Sequence, residues 1–461
     1  MVVNGDVAEN LHIFLISLAL LLTPFSGISG LPLLGSMGKT ASVYPLLCGV
    51  VLWLVQTKGK IKIPRYYNYR LLLFFYFVAI GSIIINIDDI QYYHFQGQTG
   101  LQRSVVQIMS LGLCVLVPAY IYDTMNTYKG NVYELFFKWI EYSFFVAGVY
   151  SVFELLSFFN IGDASSYLAF IDSMFRYEET EGYISRIRSV TSEPSSFGEY
   201  CAVLLPWMIY KSGYKKRYFF LTIYLLVLCF LSVSRTMYVV LILQFFLCAI
   251  MYGAKYKKII GIFIVTISFI GSIFYAQLSD SLGERTFDVV VMSVIDSEGT
   301  VFDLSNVARY GSQEAALNMF KESPIYGVGY GMYGFLAPDY YPQYSWISKE
   351  ILVRSLNTTQ DGAWPPVHSL IARVMGEMGI IGAFAWVLMI ISTIYYIYIC
   401  SSNRRNGNDI YAKTVIISLL GCFVMEFKTD SIYTFPLYII VGMSMIAMKR
   451  KEMGDSYGSD A

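Results

Sequence analysis

The chain has 461 residues, of which 56% are hydrophobic and only 14% are charged, and its mean hydropathy is +0.53. A soluble domain carries roughly 25% charged residues because its surface faces water, so this composition excludes a string of soluble domains and predicts an all-α integral membrane protein. The formal net charge is +0, so the chain lacks the strong positive field that favours nucleic acid. No nucleic-acid partner is therefore expected, and the lipid bilayer is the main expected partner.

Twelve apolar segments are long enough to be candidate membrane spans. A span needs about 20 largely apolar residues, because a bilayer contains no water to satisfy the backbone. The segments lie near 11–34, 40–56, 69–87, 104–122, 133–159, 197–210, 217–233, 236–252, 258–276, 368–399, 412–426 and 432–448. They predict about 12 transmembrane helices, with helices 1–9 in residues 1–276 and helices 10–12 plus a cytoplasmic tail in residues 368–461.

The positive charges between these segments predict the orientation of the chain. With a cytoplasmic N-terminus, the inner loops carry nineteen Lys and Arg residues and the shorter outer loops carry seven. Cytoplasmic loops are enriched in positive charge, so the N- and C-termini are both expected to be cytoplasmic. The leader contains Asp6 and Glu9 and no Lys or Arg, which favours a retained first span over a signal peptide.

Two connections on the outer side, near 160–196 and over 277–367, are longer than ordinary turns. The second has 91 residues, a length that indicates a folded and functional segment. Within it, SNVARYGSQEAALNMFKESP predicts a helix, with Ser305 as its N-cap and Pro324 after its end. Residues 277–367 are therefore expected to form a large, partly helical outer loop.

The same loop continues as YGVGYGMYGF, in which glycines stand among tyrosines. Gly327 and Gly329 allow positive φ or the close approach of backbone to a ligand, and with Tyr310 they are candidates for lining a substrate site. A tyrosine-rich turn serves equally well as a structural cap. The chain contains no GxxxxGK[ST], HExxH or EF-hand pattern, so neither a P-loop nucleotide site nor an obligatory metal or cofactor is expected.

Arginines at the outer ends of the spans are candidate functional groups, because a charge at membrane depth costs about 2.5–3.5 kcal/mol on insertion scales. We expect Arg188, Arg235 and Arg309 to converge on one outward-facing cavity, where they would suit an anionic headgroup such as a diphosphate. Arg235 can also be interpreted as a boundary residue that snorkels to the interface.

The tenth span carries its own polar residues. Arg373 and Glu377 stand four residues apart, a spacing that favours an internal ion pair. His368 opens the span beside two prolines, and a histidine at such a position is more often a hydrogen-bonded interface residue than a catalyst. An unperturbed imidazole titrates near pH 6.5, however, which suits a base at neutral pH.

Four segments, taken in order, resemble the Wzy-type O-antigen polymerase and O-antigen ligase superfamily. They are RSVTSEPSSFGEY (188–200), SVSRTMYVVLIL (232–243), RYGSQEAALNMFKESPIYGVGYG (309–331) and HSLIARVMGEMGIIG (368–382). They resemble, respectively, the family's Arg–Pro–aromatic entry to a span, its Ser–Arg element, its Arg–helix–Pro-x-x-Gly-x-Gly stretch and its closing His and Glu-x-Gly-x-x-Gly pattern.

The resemblance implies metal-independent glycosyl transfer at the periplasmic face of the bacterial cytoplasmic (inner) membrane. The donor would be a polyprenyl-diphosphate-linked oligosaccharide, and a Wzz-type chain-length regulator is an expected partner. The resemblance assigns diphosphate binding to Arg188, Arg235 and Arg309 and catalysis to His368, with Glu377 as the other candidate base. The further candidates for lining the substrate site are Glu193, Tyr310, Gly327, Gly329 and Arg373.

A polymerase, which adds the glycan to a lipid-linked repeat unit, is the leading interpretation, because such enzymes are typically this rich in Tyr and Phe. An O-antigen ligase, which transfers glycan to lipid A core, is the first alternative. A non-enzymatic polysaccharide flippase or transporter is the second, although flippases usually show repeated halves and lack a folded outer loop of this size.

Overall fold

The computed structural model describes residues 5–126, 128–176, 186–252, 261, 304–356, 364–402 and 409–453. In these residues the chain is a helical bundle with one two-residue hairpin. The helices are α1 (Gly5–Leu21), α2 (Val43–Gln56), α3 (Tyr67–Ile85), α4 (Ile87–Ile90), α5 (Gly100–Thr124), α6 (Val132–Phe158), α7 (Ala164–Phe175), α8 (Pro194–Ser212), α9 (Lys216–Leu231), α10 (Arg235–Tyr252), α11 (Leu304–Glu322), α12 (Tyr333–Tyr340), α13 (Lys349–Leu356), α14 (Leu370–Ser402), α15 (Asp409–Met425) and α16 (Phe435–Glu452). The strands of the hairpin are β1 (His94–Phe95) and β2 (Gln98–Thr99), which pair antiparallel.

Five of these helices are long and apolar enough to cross a membrane: α3, α5, α6, α10 and α14. Parts of α1, α2 and α15 form shorter apolar helices. The all-α membrane class is thereby confirmed, whereas the number of about twelve spans and the sidedness of the outer loop stay predictions. The predicted ninth span, 258–276, and residues 277–303 of the large loop lie outside the described residues, apart from residue 261.

The first predicted span, 11–34, is shorter in the structure than in the prediction. Helix α1 ends at Leu21, and the chain then forms a turn, short bridges and a 3-10 segment over Pro32–Lys39. Pro24 has no backbone N–H to continue the helix, and Gly27 has a φ of 83°. Residues 22–42 therefore form the connection between α1 and α2 and are not part of a membrane-spanning helix.

The helix predicted from SNVARYGSQEAALNMFKESP is confirmed as α11, which packs on α14. It begins at Leu304, so Ser305 lies inside its first turn and is not the N-cap that the sequence predicted. The contact with α14 is close: a Cβ added to Gly376 would stand 2.8 Å from the carbonyl oxygen of Ala316. Small residues thus let the loop helix lie directly against the span.

Helix α14 is broken at Gly379, where φ is 67° and ψ is −165°. At this break α14 forms backbone hydrogen bonds with the turn that follows α11. Val328 N donates to Gly376 O at 3.0 Å and Gly329 N donates to Glu377 O at 3.1 Å. Ile380 N in turn donates to Pro324 O at 2.8 Å. The glycine-rich turn is therefore hydrogen-bonded to the broken helix, which supplies partners for backbone groups that the break leaves unpaired.

We predict that Gly379→Ala lowers the thermal unfolding temperature of the detergent-solubilised protein. Its backbone angles lie in a region that is essentially restricted to glycine, and a Cβ there would collide with the carbonyl oxygen of Ile325. Strain of this kind costs about 1–3 kcal/mol. Gly81→Ala in α3 is the matched control, because a Cβ there meets no atom within 4 Å. Equal unfolding temperatures for the two variants would contradict the prediction.

Candidate functional site

A polar cavity of about 470 Å³ opens where several helix ends and connecting loops meet. Its walls come from the α1–α2 loop, the segment before α8 and the first turns of that helix, the start of α14 and the α15–α16 connection. Arg176 and Arg354 complete the lining. The cavity is therefore assembled from segments that are far apart in the sequence.

The cavity wall carries more positive than negative charge. Its basic residues are Lys39, Arg176, Arg188, Arg354 and Lys428, and its acidic residues are Glu193, Glu199 and Asp430. Much of the remaining wall is hydroxyl-bearing, and one part is held together by Ser192, whose N–H donates to Ser26 Oγ at 3.0 Å. Such a cavity is suited to a ligand that combines an anionic group with hydroxyl groups.

One wall is organised by Asp172 of α7, which pairs with two arginines. Arg176 Nε lies 2.7 Å from Asp172 Oδ1, and Arg188 Nη2 lies 3.2 Å from Asp172 Oδ2. Arg176 also donates to the carbonyl oxygens of Ser189 and Thr191, so its guanidinium holds the backbone of the wall. Burial lowers the pKa of Arg188, and the nearby charge of Arg176 lowers it further, against the opposing effect of Asp172.

The backbone of this wall is strained where it enters the cavity. Ser189 has a φ of 56°, which is uncommon for a residue with a side chain. The carboxylate of Glu154 accepts from both Arg188 N and Ser189 N at 2.8 Å. Two charge-assisted hydrogen bonds thus hold the conformation that presents Arg188.

Lys428 also lines the cavity, and its Nζ donates to Ser234 Oγ at 3.2 Å. Burial lowers the pKa of Lys428 to about 8, and the positive charge of Arg309 acts in the same direction, while Glu193 opposes it. A lysine in these surroundings is partly neutral near pH 8. An anion bound beside it would favour the charged form.

His368 lies at the start of α14 in a left-handed conformation, with a φ of 58°. Its carbonyl oxygen accepts from Gln313 Nε2 at 3.0 Å, and its Nε2 stands 3.5 Å from Glu350 Oε1. Glu350 also pairs with Arg354 at 3.2 Å. The pKa of Glu350 lies below its ordinary value because the His368 imidazole and then Arg354 outweigh the effect of burial.

Of the three arginines assigned to a diphosphate, Arg188 lines the cavity, whereas Arg235 and Arg309 are not among its lining residues. Arg235 begins α10 and donates to Asn306 Oδ1 at 3.0 Å. Arg309 lies in α11, three residues after Asn306. Its positive charge lowers the pKa of both Lys428 and Glu350. The two arginines therefore belong to the neighbourhood of the cavity and not to its wall.

The ion pair predicted between Arg373 and Glu377 is confirmed, with Nε and Oε2 3.1 Å apart. Glu377 is buried and its second oxygen accepts from Tyr333 N at 3.1 Å. Arg373 also donates to the carbonyl oxygen of Asp430, a cavity residue, at 3.0 Å. The pair lies behind the cavity and supports it.

Of the remaining substrate-lining candidates, one lines the cavity and the others lie elsewhere. Glu193 lines the cavity, where its carboxylate accepts a short hydrogen bond from Ser195. Gly327 has a φ of 69°, and a Cβ there would collide with the backbone of Glu377. The N–H of Gly329 donates to Glu377 O, so both glycines contribute to the contact between this turn and α14. Tyr310 is 52% exposed and is not among the lining residues.

Sequence reasoning missed several cavity residues: Lys39, Arg176, Glu199, Arg354, Lys428 and Asp430. Glu199 could have been found, because it is a carboxylate inside the predicted span 197–210. Lys428 and Asp430 stand in a connection of few residues between two spans, which is a weaker signal. Among the described residues no group of three or more His, Cys, Asp or Glu side chains is placed to hold a metal ion.

Apolar helices of membrane-spanning length define a multi-pass membrane protein, and a cavity lined by more basic than acidic residues lies where several helix ends meet. Residues 220–387 match the family model described as O-antigen ligase, and this match confirms the resemblance to the Wzy-type polymerase and ligase superfamily. The comparison with curated proteins finds no match. The match to the family model supports a membrane protein of polysaccharide biosynthesis.

We predict that Lys428 makes anion binding pH-dependent. A lysine with a pKa of about 8 is charged below that pH and neutral above it, so it should lose most of its charge between pH 7 and pH 9. Binding of inorganic pyrophosphate, measured by titration calorimetry on the detergent-solubilised protein, should weaken about tenfold over this range relative to Lys428→Arg. The Lys428→Arg variant stays charged over this range, so comparison with it removes the effect of the ionisation of pyrophosphate itself. Parallel pH curves for the two proteins would contradict the prediction.

Proposed function

We propose that this protein is an O-antigen polymerase of the bacterial inner membrane. In this proposal it transfers a polyprenyl-diphosphate-linked glycan onto a lipid-linked repeat unit at the periplasmic face. The observation that carries the proposal is the cavity itself, in which Arg188, Arg354, Lys428 and His368 share one set of hydroxyl-bearing walls. The family match supports the same class of chemistry.

The cations of the cavity are assigned to the diphosphate of the donor. Arg188 presents a planar guanidinium that can bind phosphate oxygens in pairs, and Lys428 adds a compact positive charge across the cavity. When the glycosidic bond breaks, its electron pair passes to the diphosphate oxygen. Cations that are already in place stabilise the charge that develops there. Arg309 and Arg235, near the same end of the bundle, would strengthen this positive field.

His368 is assigned to the acceptor. If its Nε2 carries the proton and faces Glu350, Nδ1 is left to accept the proton of the sugar hydroxyl. The oxygen then attacks the anomeric carbon as the bond to the diphosphate breaks. The Glu350 carboxylate would stabilise the imidazolium that forms, as the acid of a catalytic triad does. Glu377 is less suited to this task because Arg373 and Tyr333 N already occupy its carboxylate.

A ligase is the second candidate, since the matching family model is described as O-antigen ligase. Both reactions use the same donor and the same proton transfer, and they differ in the acceptor. The polymerase extends a lipid-linked repeat unit, whereas the ligase places the glycan on lipid A core. The high content of Tyr and Phe, 39 and 32 residues, is typical of polymerases and favours the first.

A deletion strain distinguishes the two reactions. For a polymerase, gel profiling of surface polysaccharide should show single repeat units on lipid A core and no longer chains. For a ligase, lipid A core should carry no repeat unit at all. The ladder of chain lengths should return when the intact gene is supplied. An unchanged ladder in the deletion strain would refute both candidates.

In the same strain, we predict that His368→Ala and His368→Gln both fail to restore long chains. A general base contributes about 10²- to 10⁴-fold to the rate, and glutamine cannot replace it. His94→Ala is the matched control, because His94 is exposed on the hairpin and bonds only locally to Tyr92 O. Immunoblots of membranes should show equal protein levels. Normal chains with both His368 variants would mean that this histidine is structural, and restoration by glutamine alone would indicate hydrogen bonding without proton transfer.

A further inference from the structure

Helix α7 folds back along the outer part of α6. At 1.5 Å per residue, the 27 residues of α6 extend about 40 Å, which exceeds the roughly 30 Å of a hydrocarbon core. Leu168, Ile171 and Phe175 of α7 pack on a cluster that includes Tyr150 of α6. Tyr150 lies eight residues before the end of α6, or about 12 Å along its axis. Helix α7 therefore lies beside the membrane-spanning helix and not beyond its end.

Ten of the twelve residues of α7 divide into three faces. The first face packs toward α6 and carries the buried Ala164 and the partly buried Leu168, Ile171 and Phe175. The second carries Tyr167, Phe170 and Met174, which are 60%, 62% and 67% exposed. The third carries the exposed serines 165, 166 and 173. At 100° per residue the exposed apolar flank lies between the buried face and the serine face, as in a helix with protein on one side, lipid on another and water on the third.

The charge on α7 is compatible with lipid contact. Asp172 is its single charged residue, and it is turned into the protein, where it pairs with Arg176 and Arg188 and accepts from Tyr150 Oη at 2.6 Å. No ionic group of this helix therefore has to be carried into the bilayer without a partner. The same aspartate positions the arginine wall of the cavity, so the apolar flank and the cavity are joined by one helix.

We propose that α7 is an interfacial helix whose Tyr167, Phe170 and Met174 flank contacts the acyl chains of the membrane leaflet beside the cavity. The flank continues over the α6–α7 turn, where Phe159 and Ile161 are also exposed. Lipid contact buries these apolar side chains, while the serine face stays in water. The occupant of the surface is phospholipid, and the inference does not depend on the reaction that the cavity supports.

Photo-crosslinking in the full-length protein tests this surface. Benzoylphenylalanine is placed at Phe170 or, as the matched control, at Ser165, which is also exposed but lies on the serine face, far from the apolar flank. Each protein is reconstituted in vesicles of phosphatidylethanolamine and phosphatidylglycerol and irradiated, and lipid adducts are counted by mass spectrometry. We expect at least fivefold more phospholipid adducts at position 170 than at position 165.

Equal adduct yields at the two positions, or adducts mainly at position 165, would overturn the proposal. Met174 provides a second position on the apolar flank if the Phe170 variant does not elute as a folded protein from a sizing column. Because the readout is lipid attachment and not glycan transfer, a negative result here leaves the proposed function untouched. A failure of the deletion-strain experiment likewise leaves this inference intact.

Discussion

The buried ion pair between Arg373 and Glu377 is the interaction on which the cavity end of the bundle depends. Glu377 accepts the N–H of Tyr333 from the outer loop, and Arg373 reaches the carbonyl oxygen of Asp430 and the side chain of Gln107 on α5. One pair thus connects α5, α14, the outer loop and the α15–α16 connection. Charges placed this deep are tolerated only when every remaining polar atom is satisfied, and removing one partner of a buried pair typically costs about 3–5 kcal/mol.

The hydrogen bonds that begin at this ion pair continue to the cavity. Asp430, held through its carbonyl oxygen, uses its carboxylate to accept the N–H of Val367 at 2.9 Å. Val367 is next to His368, so the position of the imidazole follows from contacts that begin at the Arg373–Glu377 pair. His368, which lines the cavity, and Ser189, which follows the lining residue Arg188, both have positive φ, and both are held by hydrogen bonds from other elements. Backbone strain of this kind persists where the surroundings determine the conformation, which is common at binding sites.

The class of the protein and several local features could be predicted from the sequence. Apolar segments of about 20 residues identify membrane spans because a bilayer leaves the backbone no other partner. The spacing of Arg373 and Glu377 predicted their ion pair, since residues four apart lie on one helix face. Arg188, Glu193 and His368 were identified as candidates, and all three line the cavity. These signals are local, so a single sequence contains them.

The tertiary structure decided which charges share the cavity. Lys428 and Arg354 were not singled out in the sequence because neither has a distinctive neighbour in the chain, and their functional surroundings exist only after α14, α15 and the outer loop have packed. Gly327 and Gly329 invited a ligand-binding interpretation, yet their freedom of φ serves the contact with the broken α14. A sequence shows which residues can adopt a conformation or carry a charge. Which partner each one meets depends on contacts between residues that are far apart in the chain, and only the packed helices determine those contacts.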